Sequence, residues 1–293
     1  MTPKPLGGPP SAFERRRHRK AAIFAGLGLL ATLVGVVALA VLLVDVTMDG
    51  ISAVDVDFIN SFASRIPERA GIKAALYGSV WILALTAAVA FPLSVAAAIY
   101  LEEYAAKNWL TRLIQLNIAN LAGVPSIVYG ILGLTVFVRA FSLERSIISG
   151  ALTLSILILP VIVMAAQEAI RAVPNSIREA AYGLGATRWQ VVRQQVLPMA
   201  MPGILTGTIL ALSRAVGETA PLIMVGAVGF LAFTPSGLGD RFTVLPLQIY
   251  DWISRPQDEF HALAAGGIIV LLLLLLTMNA TAIFLRNRFR KRL

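Results

Sequence analysis

Long apolar runs alternate with short polar segments along this chain, and the run lengths predict the elements. Six runs stand out, at about 21–45, 74–100, 113–138, 147–170, 200–232 and 262–285. Each is long enough for a helix to cross a ~30 Å hydrocarbon core, which takes roughly 20 residues. The pattern predicts an all-α, polytopic integral membrane protein with six transmembrane helices. A basic tail over 1–20, expected to be disordered where Pro and Gly crowd its start, precedes one membrane domain over 21–293. The largest polar interruption inside that domain is the loop 171–198.

Composition agrees. Of 293 residues 57% are hydrophobic and 14% charged, against about a quarter charged in soluble domains. The net charge of +9 does not point to nucleic acid, because the basic residues gather at the ends. Arg15, Arg16, Arg17, Arg19 and Lys20 precede the first run, and Arg286, Arg288, Arg290, Lys291 and Arg292 follow the last. Basic flanks orient membrane helices, so both termini of this multi-pass protein are expected in the cytoplasm. That topology needs an even number of spans and puts 46–73, 139–146 and 233–261 outside. Those segments carry the acidic Asp49, Asp55, Asp57, Glu68, Asp240, Asp251, Asp258 and Glu259. The start of the chain, with Ala38-Leu39-Ala40, resembles a cleavable signal peptide. Val41–Val44 extends the run to a spanning length, and an uncleaved anchor is expected.

Several chemistries are excluded. There is no cysteine, hence no disulfide or thiol chemistry. His18 and His261 lack metal-ligand company and are expected at the solvated surface. No Ser/His/Asp set is recognisable, and the Gly-x4-Gly-Lys-Ser/Thr phosphate cradle is absent. Gly183-Leu184-Gly185 has neither a preceding strand nor a third Gly. The chain is expected to carry no catalytic residue, metal or cofactor, and not to be an enzyme.

A polar segment as large as 171–198 belongs at the membrane surface, because unpaired backbone groups are not tolerated in lipid. Pro174 interrupts the fourth span, and Ser176 with Glu179 fits a capping box. Ile177, Ala180, Ala181 and Leu184 share a helical face. Gly183 and Gly185 end that helix, and Thr187 caps a second one that runs through Trp189 and Val192 to Leu197-Pro198. The small Ala face admits a close partner, to which Arg178, Arg188 and Arg193 offer charge. On these residues alone, a docking surface and an amphipathic hairpin resting on headgroups both fit.

In the fifth run Arg214 lies about 11 residues, or roughly 16 Å, beyond Gly203, near the middle of a bilayer. A charge there costs at least ~2.5–3.5 kcal/mol, so it should face protein or water. Gly203, Gly207, Leu210, Arg214, Gly217 and Pro221 share one face, small and polar apart from Leu210. Small residues let helices approach. Glu218, four residues on, would neutralise Arg214, although Arg before Glu is the less favourable helical order. A buried ion pair is also an expensive way merely to hold a fold. A planar guanidinium suits oxyanions, with Glu218 holding it or keeping the affinity low enough for release. Ser213 and Thr219 complete the expected substrate path. Pro125 with Gly123, Gly130 and Gly133 is read as a packing kink in preference to a hinge. Glu102 and Glu103 read as a solvated turn, Gln167 and Glu168 as support for the loop, and Leu271–Leu276 as lipid-facing.

The pattern Glu-Ala-Ala, three residues, Gly, nine residues, then Leu-Pro resembles the signature loop of permease subunits in bacterial ABC importers. Glu179, Ala180, Ala181, Gly185, Leu197 and Pro198 carry it, while Gln195 stands where Ile is usual. Ala211 to Pro221, Phe242 to Tyr250, Glu259-Phe260-His261 and Met278-Asn279-Ala280 are further similar to the A-type permease of the phosphate-specific importer. The likeness runs from about Ala70 to the C-terminus. It implies a type I ABC-importer permease fold and a role in moving inorganic phosphate inward. The implied partners are a second, homologous permease, two cytoplasmic ATPase subunits, an external phosphate-binding protein and membrane lipid, and no nucleic acid. It also implies that Arg214 and Glu218 act in phosphate passage, and that Glu179, Ala180, Ala181, Gly185, Arg178 and Arg171 belong to the ATPase-coupling region. Permeases for molybdate or sulfate, and ATP-independent transporters or channels, remain the alternatives.

Overall fold

The computed structural model describes residues 12–290. The Pro- and Gly-rich start, Lys291 and Arg292 lie outside them. Helix α1 (Ala12–Gly50) begins inside the segment expected to be disordered up to residue 20. Arg and Lys are good helix formers, and extending an existing helix adds one bond for each residue fixed, so the apolar helix runs back into its basic flank. It is apolar on every side, as a lipid-crossing helix is. Among the described residues, 12–49 form a unit of their own.

The second unit, 50–293, is all-helical among the described residues. Asp55 caps the short α2 (Val56–Asn60), its carboxylate accepting from the Phe58 amide at 2.6 Å. Then come α3 (Lys73–Ile99), α4 (Trp109–Ala122), α5 (Ser126–Gly133), α6 (Ile147–Arg171), α7 (Asn175–Gly183), α8 (Arg188–Val191) and α9 (Leu197–Val216). After them follow α10 (Ala220–Val225), α11 (Leu245–Ile253) and α12 (Asp258–Arg290). Wider π-helical turns continue α3 over Tyr100–Tyr104 and α5 over Leu134–Ala140, and join α8 to α9 over Val192–Val196.

Helix α6 is the pillar of this unit, packing against α3, α4, α5, α9 and α10. Hydroxyls stitch it to α3: Thr86 Oγ1 donates to the Ala151 carbonyl at 3.3 Å and Ser94 Oγ to that of Leu159 at 3.2 Å. Such bonds join helices where lipid supplies no hydrophobic drive between them. On the other side Gly203 and Gly207 of α9 sit against Ala169 and Ala165 of α6, with no room for a Cβ. Two of the six positions on the face read as lining a path therefore form a packing seam, whereas Leu210 and Arg214 on that face stay exposed.

Among the described residues five helices are long and apolar enough to cross a membrane, or six if the bent pair α4–α5 counts as one span. That pair corrects the expected kink. The run 113–138 is broken at Gly123–Pro125, and its arms meet at 103°. Pro125 offers no backbone donor, and the Leu121 carbonyl at the end of α4 accepts both from the Val124 amide at 3.1 Å and from the Tyr129 hydroxyl at 2.8 Å, tying the two arms together. Gly130 and Gly133 serve packing, against Pro221 and Met224 and against Thr153. The fifth run also ends early. Helix α9 stops at Val216, and after α10 the chain turns through Gly226, at φ +112°, into a non-helical stretch. Nor is Leu271–Leu276 wholly lipid-facing: Leu271, Leu274 and Leu275 pack on buried clusters while Leu273 and Leu276 are exposed.

Candidate functional site

The loop between α6 and α9 is built from the expected pair of helices with a different first cap. Helix α7 starts at Asn175, two residues earlier than the Ser176–Glu179 box requires, behind an extended Pro174 and without a side-chain cap. The capping box forms on the second helix instead. There the Thr187 hydroxyl accepts from the Gln190 amide, and the Gln190 carboxamide oxygen accepts from the Thr187 amide at 2.7 Å.

The end of α7 explains the spacing of its motif. Gly185 lies at φ +81°, the left-handed region that glycine enters without a Cβ penalty. The Ala186 amide then donates to the Ala181 carbonyl at 3.1 Å and the Gly185 amide to that of Tyr182 at 2.9 Å. This pair of bonds is the Schellman closure of a helix. It leaves Glu179, Ala180, Tyr182 and Leu184 on an exposed ridge, with Leu184 90% exposed, and Trp189 exposed on α8. The predicted face is split. Ala180 and Leu184 point outward, while Ala181, with Ala186, packs on the cluster of Ile170, Val191, Val196 and Leu101.

Arg178 and the two glutamates correct the sequence expectation most. Arg178 is not offered to a partner, and Glu103 is not solvated: their side chains are 15% and 8% exposed. Arg178 Nη2 and Nε donate to Glu103 Oε1 at 2.8 and 3.1 Å. Nη1 donates to the Val173 carbonyl at 2.6 Å and to Asn175 Oδ1 at 3.3 Å, and Nη2 also to the Ile170 carbonyl at 2.9 Å. A buried pair is tolerable only when its remaining donors are satisfied, and here they are. Arg171 grips Glu102 with two bonds, Nε to Oε2 at 2.9 Å and Nη2 to Oε1 at 2.6 Å, and also reaches Glu168 at 2.9 Å. Gln167 Nε2 donates to Glu102 Oε1 at 2.9 Å. The Arg188 guanidinium lies 5.3 Å over the Tyr104 ring. Three successive residues of the π-helical turn thus hold Arg171, Arg178 and Arg188. Around them opens a groove of about 850 Å³, which Lys107, Trp109, Arg112 and Tyr182 also line.

At the other end of α9, Arg214 occupies the last turn, at the end of the helix and not its middle. Its Nε donates to Glu218 Oε1 at 3.2 Å, with the side chains 52% and 16% exposed. Glu218 lies beyond the Gly217 cap, so the helical-order objection to this pairing does not apply. Ser213 turns away from Arg214 and donates to Asn279 Oδ1 of α12 at 2.7 Å. Thr219 Oγ1 donates to the Gly217 carbonyl at 3.3 Å. His261 is half-exposed, its Nε2 2.9 Å from the Arg255 carbonyl. Among the described residues no three His, Cys, Asp or Glu gather as a metal site.

Residues 90–293 match the family of binding-protein-dependent transport system inner membrane components. Among curated relatives, the probable ABC transporter permease protein YqgI of Bacillus subtilis is 33% identical, over 85% of this chain and 88% of its own. The phosphate transport system permease protein PstA 1 of Mycobacterium tuberculosis (strain CDC 1551 / Oshkosh) is 33% identical over 78% and 75%. PstA of Xylella fastidiosa (strain Temecula1) is 32% identical over 94% and 96%. In fold, the bacterial alginate ABC transporter superposes with a TM-score of 0.66 at 14% identity, over 91% of this chain and 94% of that one. The MetNI methionine ABC transporter reaches 0.58 at 19% identity, over 74% and 96%. The anchored loop, the helical layout and these likenesses agree: this chain has the type I ABC-importer permease fold and belongs to the binding-protein-dependent transport system inner membrane component family.

Proposed function

We propose that this chain is one of two permease subunits of an ATP-driven importer carrying inorganic phosphate into the cytoplasm. Relatives that bear the name of phosphate permeases, at 32–33% identity, give the substrate. The observation that carries the chemistry is Arg214, exposed at a helix break and tethered through Nε alone. Its terminal amines are the planar donors that bind an oxyanion in bidentate fashion. Glu218 fixes the guanidinium and, as a like charge to phosphate, keeps affinity low enough for release.

In this scheme both termini are cytoplasmic and the ridge Glu179–Gly185 seats in a cytoplasmic ATPase subunit. Two such ATPases close on ATP, the permease pair opens outward, and an external binding protein delivers phosphate to a path that contains Arg214. Hydrolysis in the ATPase subunits restores the inward state. This chain supplies the path and the lever and no catalytic group.

The test is uptake of labelled phosphate by proteoliposomes holding this chain, the neighbouring permease, the ATPase and the binding protein. ATP-dependent uptake that disappears in Glu179→Lys supports substrate and coupling together. ATP hydrolysis stimulated by a different loaded binding protein, with phosphate inert, overturns the substrate. Uptake driven by an ion gradient without the ATPase overturns the mechanism.

A further inference from the structure

The ridge on α7 is joined to the membrane helices by covalent connections to α6 and α9, and also by the clasp on the end of α3. We infer that Glu103 and Arg178, backed by Glu102–Arg171, are positioning residues that make the cytoplasmic end of α3 and helix α7 one moving body. Force applied to the loop is then delivered to the second span directly. This rests on the proposed function, since it concerns how that pump is coupled.

Three observations carry it. Glu103–Arg178 is the most buried ion pair among the described residues, linking positions 75 apart in sequence. Five hydrogen bonds saturate its guanidinium, three of them to the chain at the α6–α7 junction. A pair buried so completely resists shearing, because separating it strands a charge away from water. Second, Glu102, Glu103 and Tyr104 sit in a π-helical turn. Such turns are rare and concentrate at functional sites, and this one hands three successive side chains to the loop. Third, Ala181 and Ala186 of the loop pack on the buried cluster that contains Leu101 at the end of α3. Motion of α7 therefore reaches the end of α3 through the clasp and through this packing.

The test uses the complete importer complex in lipid. The chain has no native cysteine, so Tyr100→Cys and Ser176→Cys, both exposed positions, take nitroxide labels selectively within it. The expected result is one distance between the labels with and without ATP, and two different distances when Glu103→Gln is added. In that variant ATP hydrolysis persists, and phosphate imported per ATP falls about tenfold, in the range of ordinary allosteric couplings. Should Glu103→Gln prevent assembly, Arg178→Lys, which keeps the charge without the planar fork, is read the same two ways. A label distance that changes with ATP in the parent complex overturns the inference, as does a variant with unchanged import per ATP. A parent complex that hydrolyses ATP but moves no phosphate removes the proposed substrate, while the label distance still decides the clasp.

Discussion

Arg214 and Glu218 face each other across the end of a helix: the guanidinium Nε of the last turn donates at 3.2 Å to a carboxylate one residue past the Gly217 cap. The bond occupies one of five guanidinium donors. Replacing Arg214 by Gln removes the anion-binding donors and leaves Glu218, 16% exposed, within reach of water. Phosphate uptake should fall on the order of tenfold to a hundredfold, the worth of one bond to a charged group. The complex should still purify intact. Loss of the complex on purification would show that the pair is structural.

Gly185 closes α7 at φ +81° with no heavy atom within 4 Å of its missing Cβ. Space is therefore no obstacle to Gly185→Ala, and only backbone conformation is. An L-residue held in that region costs about 1–2 kcal/mol. The substitution should loosen the Ala186–Ala181 closure and lower the apparent affinity for the ATPase subunit by roughly five- to thirtyfold, measured by titrating ATPase against the purified permease pair. Unchanged affinity would mean that the closure is dispensable for docking.

The seam between α9 and α6 offers a sharper structural test. A Cβ on Gly207 would overlap Ala165, and both sit on long, well-packed helices. Gly207→Leu should destabilise by at least about 1–3 kcal/mol, the usual penalty of overpacking. Detergent-solubilised protein should then melt several degrees lower. Gly183→Ala, where nothing lies within 4 Å, should leave the melting point unchanged and serves as the control.

Sequence patterns reveal features whose cause is local. Run length announces the spans, and the positive-φ requirement at Gly185 is visible as a glycine four residues after Glu-Ala-Ala. The clasp was hidden because its partners are 69 and 75 residues apart. Two adjacent glutamates after an apolar run look like a solvated turn until two arginines arrive from elsewhere in the fold. The only local hint was that charge balance, two acids at 102–103 against Arg171 and Arg178. The break at Pro125 was illegible for another reason: proline in a membrane helix ordinarily kinks it, with neighbours satisfying the freed groups. Only the packing of α5 on α6 and α10 turns the kink into a 103° corner.

The N-terminal end of α6 provides a prediction that depends on pH. Its first amides lack helical partners and are satisfied by the 236–240 turn: the Ile147 amide donates to the Asp240 carbonyl at 3.0 Å and the Ile148 amide to that of Leu238 at 3.1 Å. The turn is held by the Asp240 carboxylate, which accepts from the Ser236 and Gly237 amides at 2.7 and 2.8 Å and from the Ser236 hydroxyl at 3.2 Å. Those donors, the Ser236 amide first, hold the carboxyl below its ordinary 3.8. A carboxylate with a lowered folded value binds fewer protons folded than unfolded. Its stabilisation is therefore complete above the ordinary carboxylate range and is lost as pH falls through the folded value, below 3.8. Hydrogen exchange at Ile147 and Ile148 should stay slow from neutral pH down to about 4 and quicken below it, after correction for the intrinsic rate. In Asp240→Asn the same amides should exchange faster at neutral pH, and the acid step should vanish. An acid step that persists in Asp240→Asn would assign the pH dependence to another carboxyl.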